Sequence, residues 1–503
     1  MPAPAILQAS APSGLAHPTI VAVALLYVAV VAAIAAWAAR RTRTAGDFFV
    51  AGRRLGPWTL AIASMSATLS GFAFVGGPGL VQAIGLGAIH IVLSASITGA
   101  MGAWVLGKRL RLLAEVRELV TVPDAIGARY DSRAAQGLSA VTILVAVVGY
   151  TATNVLALGL IVHAVFGIGL GWAIWIGMLV VLSYSATGGI LAGVYTDLFQ
   201  GAVMAIASAL VFVYALDAGG GMAAISAALL AHDPALVGPW GRLTPVAALS
   251  LFFVFGVGSL GQPHVVHKFY MLRDPRRLKW YPLLMTASMA VTLLLFFAVG
   301  LAAAALVATG RMAPLATPDE ATPRFVLEFT PRLLAAIVFA GAAAAIMSTV
   351  NSFLSIGAAA VTHDLPRALG LRGVRELRWG RIATVAIAVL AALLAQLPGV
   401  LVAFLGIFGF GLFASTLVPA LAIGLNWPGA TRAGAIASIA TGLAVTLALE
   451  TLAYVRAFSL PAGASVSGLA LALSLVVFFV VSWLGRRGAA AAVPADVRAV
   501  MES

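Results

Sequence analysis

The sequence predicts an all-α polytopic membrane protein with thirteen transmembrane helices. Three observations carry that expectation. Only 9% of the 503 residues are charged, 62% are hydrophobic, and the hydrophobic residues fall in continuous runs long enough to cross a bilayer. An average soluble domain carries about 25% charged residues. A chain with so few charges has lipid as the solvent for much of its surface, and the mean hydropathy of +1.06 agrees. Unbroken runs, rather than short alternating ones, exclude a transmembrane barrel. The 52 glycines and 23 prolines fit as well, because neighbouring membrane helices satisfy the backbone groups that such residues free.

In chain order the crossings are expected at about 18–39, 57–83, 85–107, 137–165, 169–190, 195–217, 244–267, 279–309, 330–361, 380–398, 400–425, 432–456 and 465–485. Basic residues fix their direction, because Lys and Arg concentrate in cytoplasmic loops. Loop 40–54 holds five (Arg40, Arg41, Arg43, Arg53 and Arg54), loop 108–136 six, and loops 268–279 and 362–381 five each; Arg432 adds one and the C-terminal tail three. All 25 fall on one side of a thirteen-span path, against five on the other: Arg242, Arg311, Arg324, Arg332 and Arg456. The N-terminus is therefore expected outside and the C-terminus inside. A missed span would invert every later loop and destroy the asymmetry. The net charge of +13 is thus topological and is no footprint for nucleic acid.

Cysteine is absent, which excludes disulfides and thiol chemistry. Residues 1–17 lack a basic n-region, so no cleavable signal is expected. Lysine occurs only at Lys108, Lys268 and Lys279, and the other 27 basic residues are Arg. This Ala- and Arg-rich composition points to a GC-rich bacterium, and hence to its cell (inner) membrane. No Walker lysine pattern appears, nor any HExxH, GxSxG or metal-ligand cluster. Neither primary active transport nor an enzyme is expected, and no obligate protein partner is evident.

Two crossings look interrupted. The second contains Ser70-Gly71 and Gly76-Gly77-Pro78-Gly79; the seventh contains Gly256, Gly258 and Gly261-Gln262-Pro263. They lie five spans apart. Interrupted helices at matching positions point to an inverted-repeat transporter with a midplane site, although glycine also serves close helix packing.

In the ninth crossing, Ala345, Ser348 and Thr349 stand at i, i+3 and i+4 and share one helix face. Two hydroxyls and a carbonyl there suit a hard monovalent cation, with free carbonyls near Ser66 and Leu69 of the interrupted second helix completing the set. No carboxylate is required, which suits Na+ better than a proton. Hydroxyls in membrane helices also back-bond or pack. Intramembrane charge is scarce. Asp197 reads as a cap at the start of the sixth span; Asp217, Glu450 and Asp364 read as solvated helix ends. His90 reads as a structural hydrogen-bonding residue, and His264 and His267 as interfacial. Phe72, Tyr150, Phe255, Phe408 and Phe410 are candidates to line or gate a solute pocket.

Several stretches together resemble the sodium:solute symporters, which include bacterial sodium–proline symporters and sodium–glucose transporters. They are Gly46-Asp-Phe-Phe-Val-Ala-Gly52-Arg53-Arg54-Leu-Gly56, Thr121-Val-Pro123-Asp124-Ala-Ile-Gly-Ala-Arg129-Tyr130, Gly188-Gly189 through Thr196-Asp197-Leu-Phe-Gln200, Gly261-Gln262-Pro263-His264, and Ala345 to Ser352. The resemblance implies a single transmembrane domain over residues 1–503. Its core would be LeuT-like, with inverted repeats of five plus five helices at about 57–217 and 244–425. It implies Na+ between the second and ninth spans, held by backbone oxygens of Ser66, Leu69 and Ala345 and the hydroxyls of Ser348 and Thr349. The proline branch has Asp where this chain has Thr68. Its pocket Trp and Tyr positions correspond to Phe72, Phe255 and Ser259, with Tyr150 kept. Those residues, with Gln262, are the expected solute contacts in a rebuilt pocket. A small amino acid or a monocarboxylate is the expected solute, and a hexose is disfavoured. The implied activity is Na+-coupled symport by alternating access. The alternatives are a membrane sensor on a transporter fold, which the short tail from Gly488 to Ser503 disfavours, and a passive solute channel.

Overall fold

The computed structural model describes residues 17–40, 55–371, 376–397, 402–455, 460, 464–485 and 493–503. Residues 46–54 of the Gly46–Gly56 stretch and the basic residues Arg41, Arg43, Arg53 and Arg54 lie outside them. Among the described residues the chain is helical, and a lone bridge between Leu55 and Leu272 is the only strand-like pairing. The helices in order are α1 (Pro18–Ala39), α2 (Pro57–Thr68), α3 (Gly77–Ile84), α4 (Ile89–Gly102), α5 (Lys108–Arg117), α6 (Val122–Tyr130), α7 (Arg133–Phe166), α8 (Leu170–Ala218) and α9 (Met222–His232). There follow α10 (Pro245–Gly258), α11 (Tyr281–Ala308), α12 (Ala321–Phe329), α13 (Arg332–Ala359), α14 (Glu376–Leu394), α15 (Val402–Leu417), α16 (Arg432–Tyr454), α17 (Val466–Gly485) and α18 (Ala495–Glu502). Single turns join several of them.

Among the described residues, eleven helical runs are long and apolar enough to cross a bilayer. The difference from the expected thirteen arises at two places. The outer half of the second expected span continues into the third as one helical run, Phe72–Arg117, bent at Gly85, whose φ of 74° and close approach to the Leu236 carbonyl admit only glycine. The fifth and sixth expected spans lie in one 49-residue helix, α8, in which Gly193–Ala218 is long enough to count as a crossing and Leu170–Ser183 is a shorter apolar stretch. At 1.5 Å per residue a straight helix of that length would measure about 74 Å, more than twice the hydrocarbon thickness. Its contacts show that it turns back. Ile174 packs at Gly159 and Gly177 at Leu158, so the first limb runs antiparallel to α7. Gly193 meets Asn351 and Ala207 meets Gly341, so the second limb runs antiparallel to α13. Since α7 and α13 are themselves antiparallel, with Val147 at Gly357 and Tyr150 at Phe353, the two limbs oppose each other. The reversal lies between Gly177 and Gly193, a stretch that includes the Gly188-Gly189 pair.

α7 and α13 form the centre and are buried along most of their length. α17 lies at the rim and turns Val476, Phe479, Val480, Trp483 and Leu484 outward, the apolar exposure that a lipid-facing helix needs. At the end of the bundle that carries the basic loops, α18 lies along α5. Arg117 forms a bidentate pair with Asp496, whose carboxylate it holds down at about 2, and Val497, Val500 and Met501 are buried beneath.

A polar knot ties α6 to the ninth span at the same end. Asp124 accepts from Gln136 (2.9 Å) and the Val120 amide (3.1 Å) and pairs with His363 (2.9 Å). Burial alone would raise the Asp124 carboxylate, but the His363 hydrogen bond and charge outweigh it and hold it below its ordinary range. Asp364, expected to be a solvated helix end, is instead 1% exposed and accepts from Thr121.

Candidate functional site

The second span breaks where Ser70-Gly71 predicts. α2 ends at Thr68, Leu69 adopts an extended ψ of 97°, and helix resumes as one wide turn over Phe72–Gly76. Asn154 of α7 splints the gap: its side-chain oxygen takes the Gly71 amide (2.8 Å), while its amide group donates to the Tyr150 carbonyl (2.9 Å). Glycine is required at 71, since a Cβ there would stand 2.6 Å from Ala157 Cβ. Leu69 still donates to the Met65 carbonyl (2.9 Å), but the Ala73 amide turns to Ser70 (2.9 Å). Among the described residues, no backbone amide therefore pairs with the Ser66 or Leu69 carbonyl. A buried carbonyl without a partner costs free energy unless something else satisfies it.

α13 passes this break with its hydroxyl face. Ala345, Ser348 and Thr349 are fully buried, as is Ser66. Thr349 Oγ1 lies 2.9 Å from the Ala67 carbonyl and 3.0 Å from that of Ala345, and donates its proton between them. Ser348 donates its proton to Asp197. Both oxygens thus keep lone pairs free for a cation, as a hydroxyl ligand must. Ser66 sends its own hydroxyl away, to Met204 Sδ at 3.6 Å, leaving its backbone carbonyl as the group at the break. The five expected cation ligands come from two segments that the Thr349–Ala67 hydrogen bond holds together.

Asp197 corrects an expectation. It does not cap a helix; it lies inside α8, 1% exposed. One carboxylate oxygen takes the Ser348 proton and the other lies 2.7 Å from Lys268 Nζ, itself 1% exposed. Lys268 stands in the turn His267–Met271, just beyond the break in the seventh span. A tethered ammonium therefore neutralises the carboxylate that accepts from Ser348, one of the hydroxyls expected to ligate the cation. Sequence reading missed the pair because 71 residues separate its members and both sit at expected helix ends.

The seventh span breaks too. α10 ends at Gly258, Ser259–Gly261 makes one tight turn, and Gln262 is extended (φ −75°, ψ 105°) before Pro263 starts the next turn. Gln262 Nε2 donates to the carbonyls of Gly258 (3.0 Å) and Phe410 (3.3 Å). The Ser259 hydroxyl bonds back to Phe255 (2.7 Å). Phe72 stacks on Phe255 with centroids 5.8 Å apart, and Phe255 on Phe410 at 4.4 Å, bridging the two breaks. Tyr150 backs against Gly409, neighbour of Phe410, and its ring meets Phe353 at 4.9 Å. All five expected solute contacts thus converge on the breaks. Phe408 faces away from them and lines an apolar cleft with Leu144, Val148 and Leu394.

His264 and His267 are not interfacial. They are 2% and 4% exposed, and His264 stands 4.5 Å from Phe353 and 6.2 Å from Tyr150, ring to ring. Phe353, Phe296 and Asn154 also join the region. Asn154 and Phe353 lie on the central helices α7 and α13 and Phe296 on α11, and position on a long apolar helix was their only sequence signal. His90 keeps the structural role expected of it, bonding the Pro239 carbonyl at 3.0 Å.

A model of the sodium:solute symporter family matches residues 48–442. The chain is 29% identical over 420 residues to the osmoregulated proline transporter OpuE of Bacillus subtilis (strain 168), covering 82% of this chain and 84% of that one. It is 28% identical over 438 residues to the sodium/pantothenate symporter of Escherichia coli (strain K12), covering 85% and 89%. A solved Na+-coupled sialic acid symporter, substrate-bound and outward-open, superposes with a TM-score of 0.76 at 17% identity, over 93% of this chain and 98% of that one. A nucleobase-cation-symport-1 family transporter in a closed conformation follows at 0.55 and 15%, over 90% and 98%. At these identities the structures speak for the fold alone, which is the LeuT-like one expected. With the family model spanning most of its length, the chain belongs to the sodium:solute symporter family and is a sodium-coupled secondary transporter, not an enzyme.

Proposed function

We propose that this transporter carries a small amino acid or monocarboxylate inward with Na+ by alternating access. The Na+ would be held by the carbonyls of Ser66, Leu69 and Ala345 and the hydroxyls of Ser348 and Thr349. The observation that carries the reading is the pair of amide-free carbonyls at the Leu69 break, beside a Thr349 hydroxyl whose lone pairs are free. Proline and pantothenate, the solutes in the relatives' names, each carry a carboxylate, which supports the solute class. A charge crossing the full membrane potential gains about 2.3 kcal/mol per 100 mV. The whole chain is one transport domain, its repeats at about 57–217 and 244–425. Uptake into proteoliposomes of labelled amino and carboxylic acids, with and without a Na+ gradient, tests the reading. Saturable, Na+-driven accumulation is expected. Flux that neither saturates nor needs Na+ would favour a channel, and binding without flux a sensor.

Phe72, Tyr150, Phe255, Ser259 and Gln262 would contact the solute. Tyr150→Phe, which removes one hydroxyl, is expected to weaken apparent solute affinity by about 0.5–1.5 kcal/mol. Phe72→Ala and Phe255→Ala are expected to raise solute KM, measured at saturating Na+, more than they alter Na+ activation. Wild-type KM in all three variants would place the solute elsewhere.

The thirteen-span path, with the N-terminus outside, is the reading we favour for a bacterial inner membrane. It is supported by the 25-to-5 basic asymmetry and by the opposed limbs of α8. In the cysteine-free background, cysteines replacing the exposed residues Arg276 and Ala316 distinguish the sides. An impermeant maleimide applied to intact cells should label position 316 and spare 276; the reverse pattern refutes the orientation.

A further inference from the structure

We infer that Gln262 and His264 form the polar end of the solute site, and that the solute bears a hydrogen-bond donor beside its carboxylate, making it an amino acid rather than a simple alkyl monocarboxylate. The inference rests on the transport reading above and narrows it. Gln262 and His264 are each 2% exposed, and Gln262 Oε1 and His264 Nδ1 are both buried without a hydrogen-bond partner. An unmet buried polar atom is expensive. Two of them stand two residues apart, at the helix break and among the aromatics that bridge it.

Their chemistry differs, and that selects the ligand. The Gln262 amide is held in one orientation, because its nitrogen donates to the carbonyls of Gly258 and Phe410. Turning the amide over would set its oxygen against two carbonyl oxygens. Oε1 is therefore fixed as the free atom, and it can only accept. A solute that satisfies it must bring an N–H or O–H. His264 Nδ1 is the other free atom, and its ring is fixed between Phe353 and Tyr150. A neutral imidazole can place its single N–H on Nδ1 and donate to a carboxylate. An ammonium on Gln262 with its own carboxylate on His264 completes both partners. An alkyl monocarboxylate could serve His264 but would leave Gln262 Oε1 unpaired, facing a like partial charge. Phe255 and Phe410, stacked on each other beside the break, offer packing for the solute's apolar part.

The test uses the full-length protein in proteoliposomes under an inward Na+ gradient, with two labelled mixtures: the proteinogenic amino acids, and acetate, propionate and butyrate. Na+-driven accumulation is expected from the first and not from the second. Accumulation from the alkyl acids instead would overturn the inference while the proposed solute class stands; accumulation from neither would overturn the inference and that solute class together. In the transported amino acid, His264→Phe and Gln262→Leu should each raise KM at least tenfold, with the Na+ concentration for half-maximal activation little changed. His264→Asn, which keeps a hydrogen-bonding group near the Nδ1 position, should recover much of the loss and report that the site still folds. Equal KM in His264→Phe and wild type, or equal losses in Phe and Asn variants that elute as intact protein, would assign His264 to packing alone.

Discussion

Replacing Ser348 and Thr349 together by Ala is expected to raise the Na+ concentration for half-maximal uptake by about a hundredfold, or to abolish sodium dependence. The two side chains supply two of the five oxygens proposed around the ion. A hydrogen-bond-scale interaction with a charged group is worth about 1.5–3 kcal/mol, so losing both removes at least about 3 kcal/mol, or two decades of affinity. Both hydroxyls have spent their protons elsewhere, Ser348 on Asp197 and Thr349 on Ala67 and Ala345, so each would meet the proposed ion as a lone-pair donor. Some stability goes as well, because the Ala67 carbonyl loses its side-chain partner. Thr349→Ser and Ser348→Thr keep the oxygens and separate the two effects: they should retain sodium activation within a few-fold of wild type. Unchanged sodium activation in the double Ala variant, at normal expression, would remove this pair from the ion site.

The parts of this site legible in the sequence are those that short-range chemistry determines. Ser70-Gly71 and Gly261-Gln262-Pro263 break helices locally, and the breaks appear at Leu69 and Gln262. Ala345, Ser348 and Thr349 share a face by helical periodicity alone, and they do so in α13. What escaped is what folding brings together from afar. Asn154 splints the first break from 83 residues away, and Asp364 meets Thr121 across 243. Neither residue differs in local context from a packing or solvated polar group. His264 was misjudged because nearness to a helix end suggested water, whereas the break places it among Tyr150 and Phe353.

The Asp197–Lys268 pair gives the other large effect, with opposite signs on its two sides. Both side chains are 1% exposed and 2.7 Å apart. Removing one member leaves an uncompensated buried charge, which costs about 3–5 kcal/mol, whereas replacing both by neutral groups of similar volume is often close to neutral. Asp197→Asn and Lys268→Met are each expected to lower thermal stability in detergent, and the double variant to recover most of the loss. The effects on sodium diverge. Lys268→Met leaves the Asp197 carboxylate beside Ser348 without its cation, so Na+ should bind at least about tenfold tighter, a change of 1.4 kcal/mol, and leave more slowly. Turnover then falls although affinity rises. Asp197→Asn removes the attraction and leaves the Lys268 ammonium, so Na+ affinity should fall by a similar factor. Sodium binding measured on purified protein, together with maximal uptake rate, separates these outcomes. A purely structural pair would move stability in both single variants but shift sodium affinity in neither. Shifts of the same sign in both would mean that the losses come through misfolding rather than through charge at the ion site.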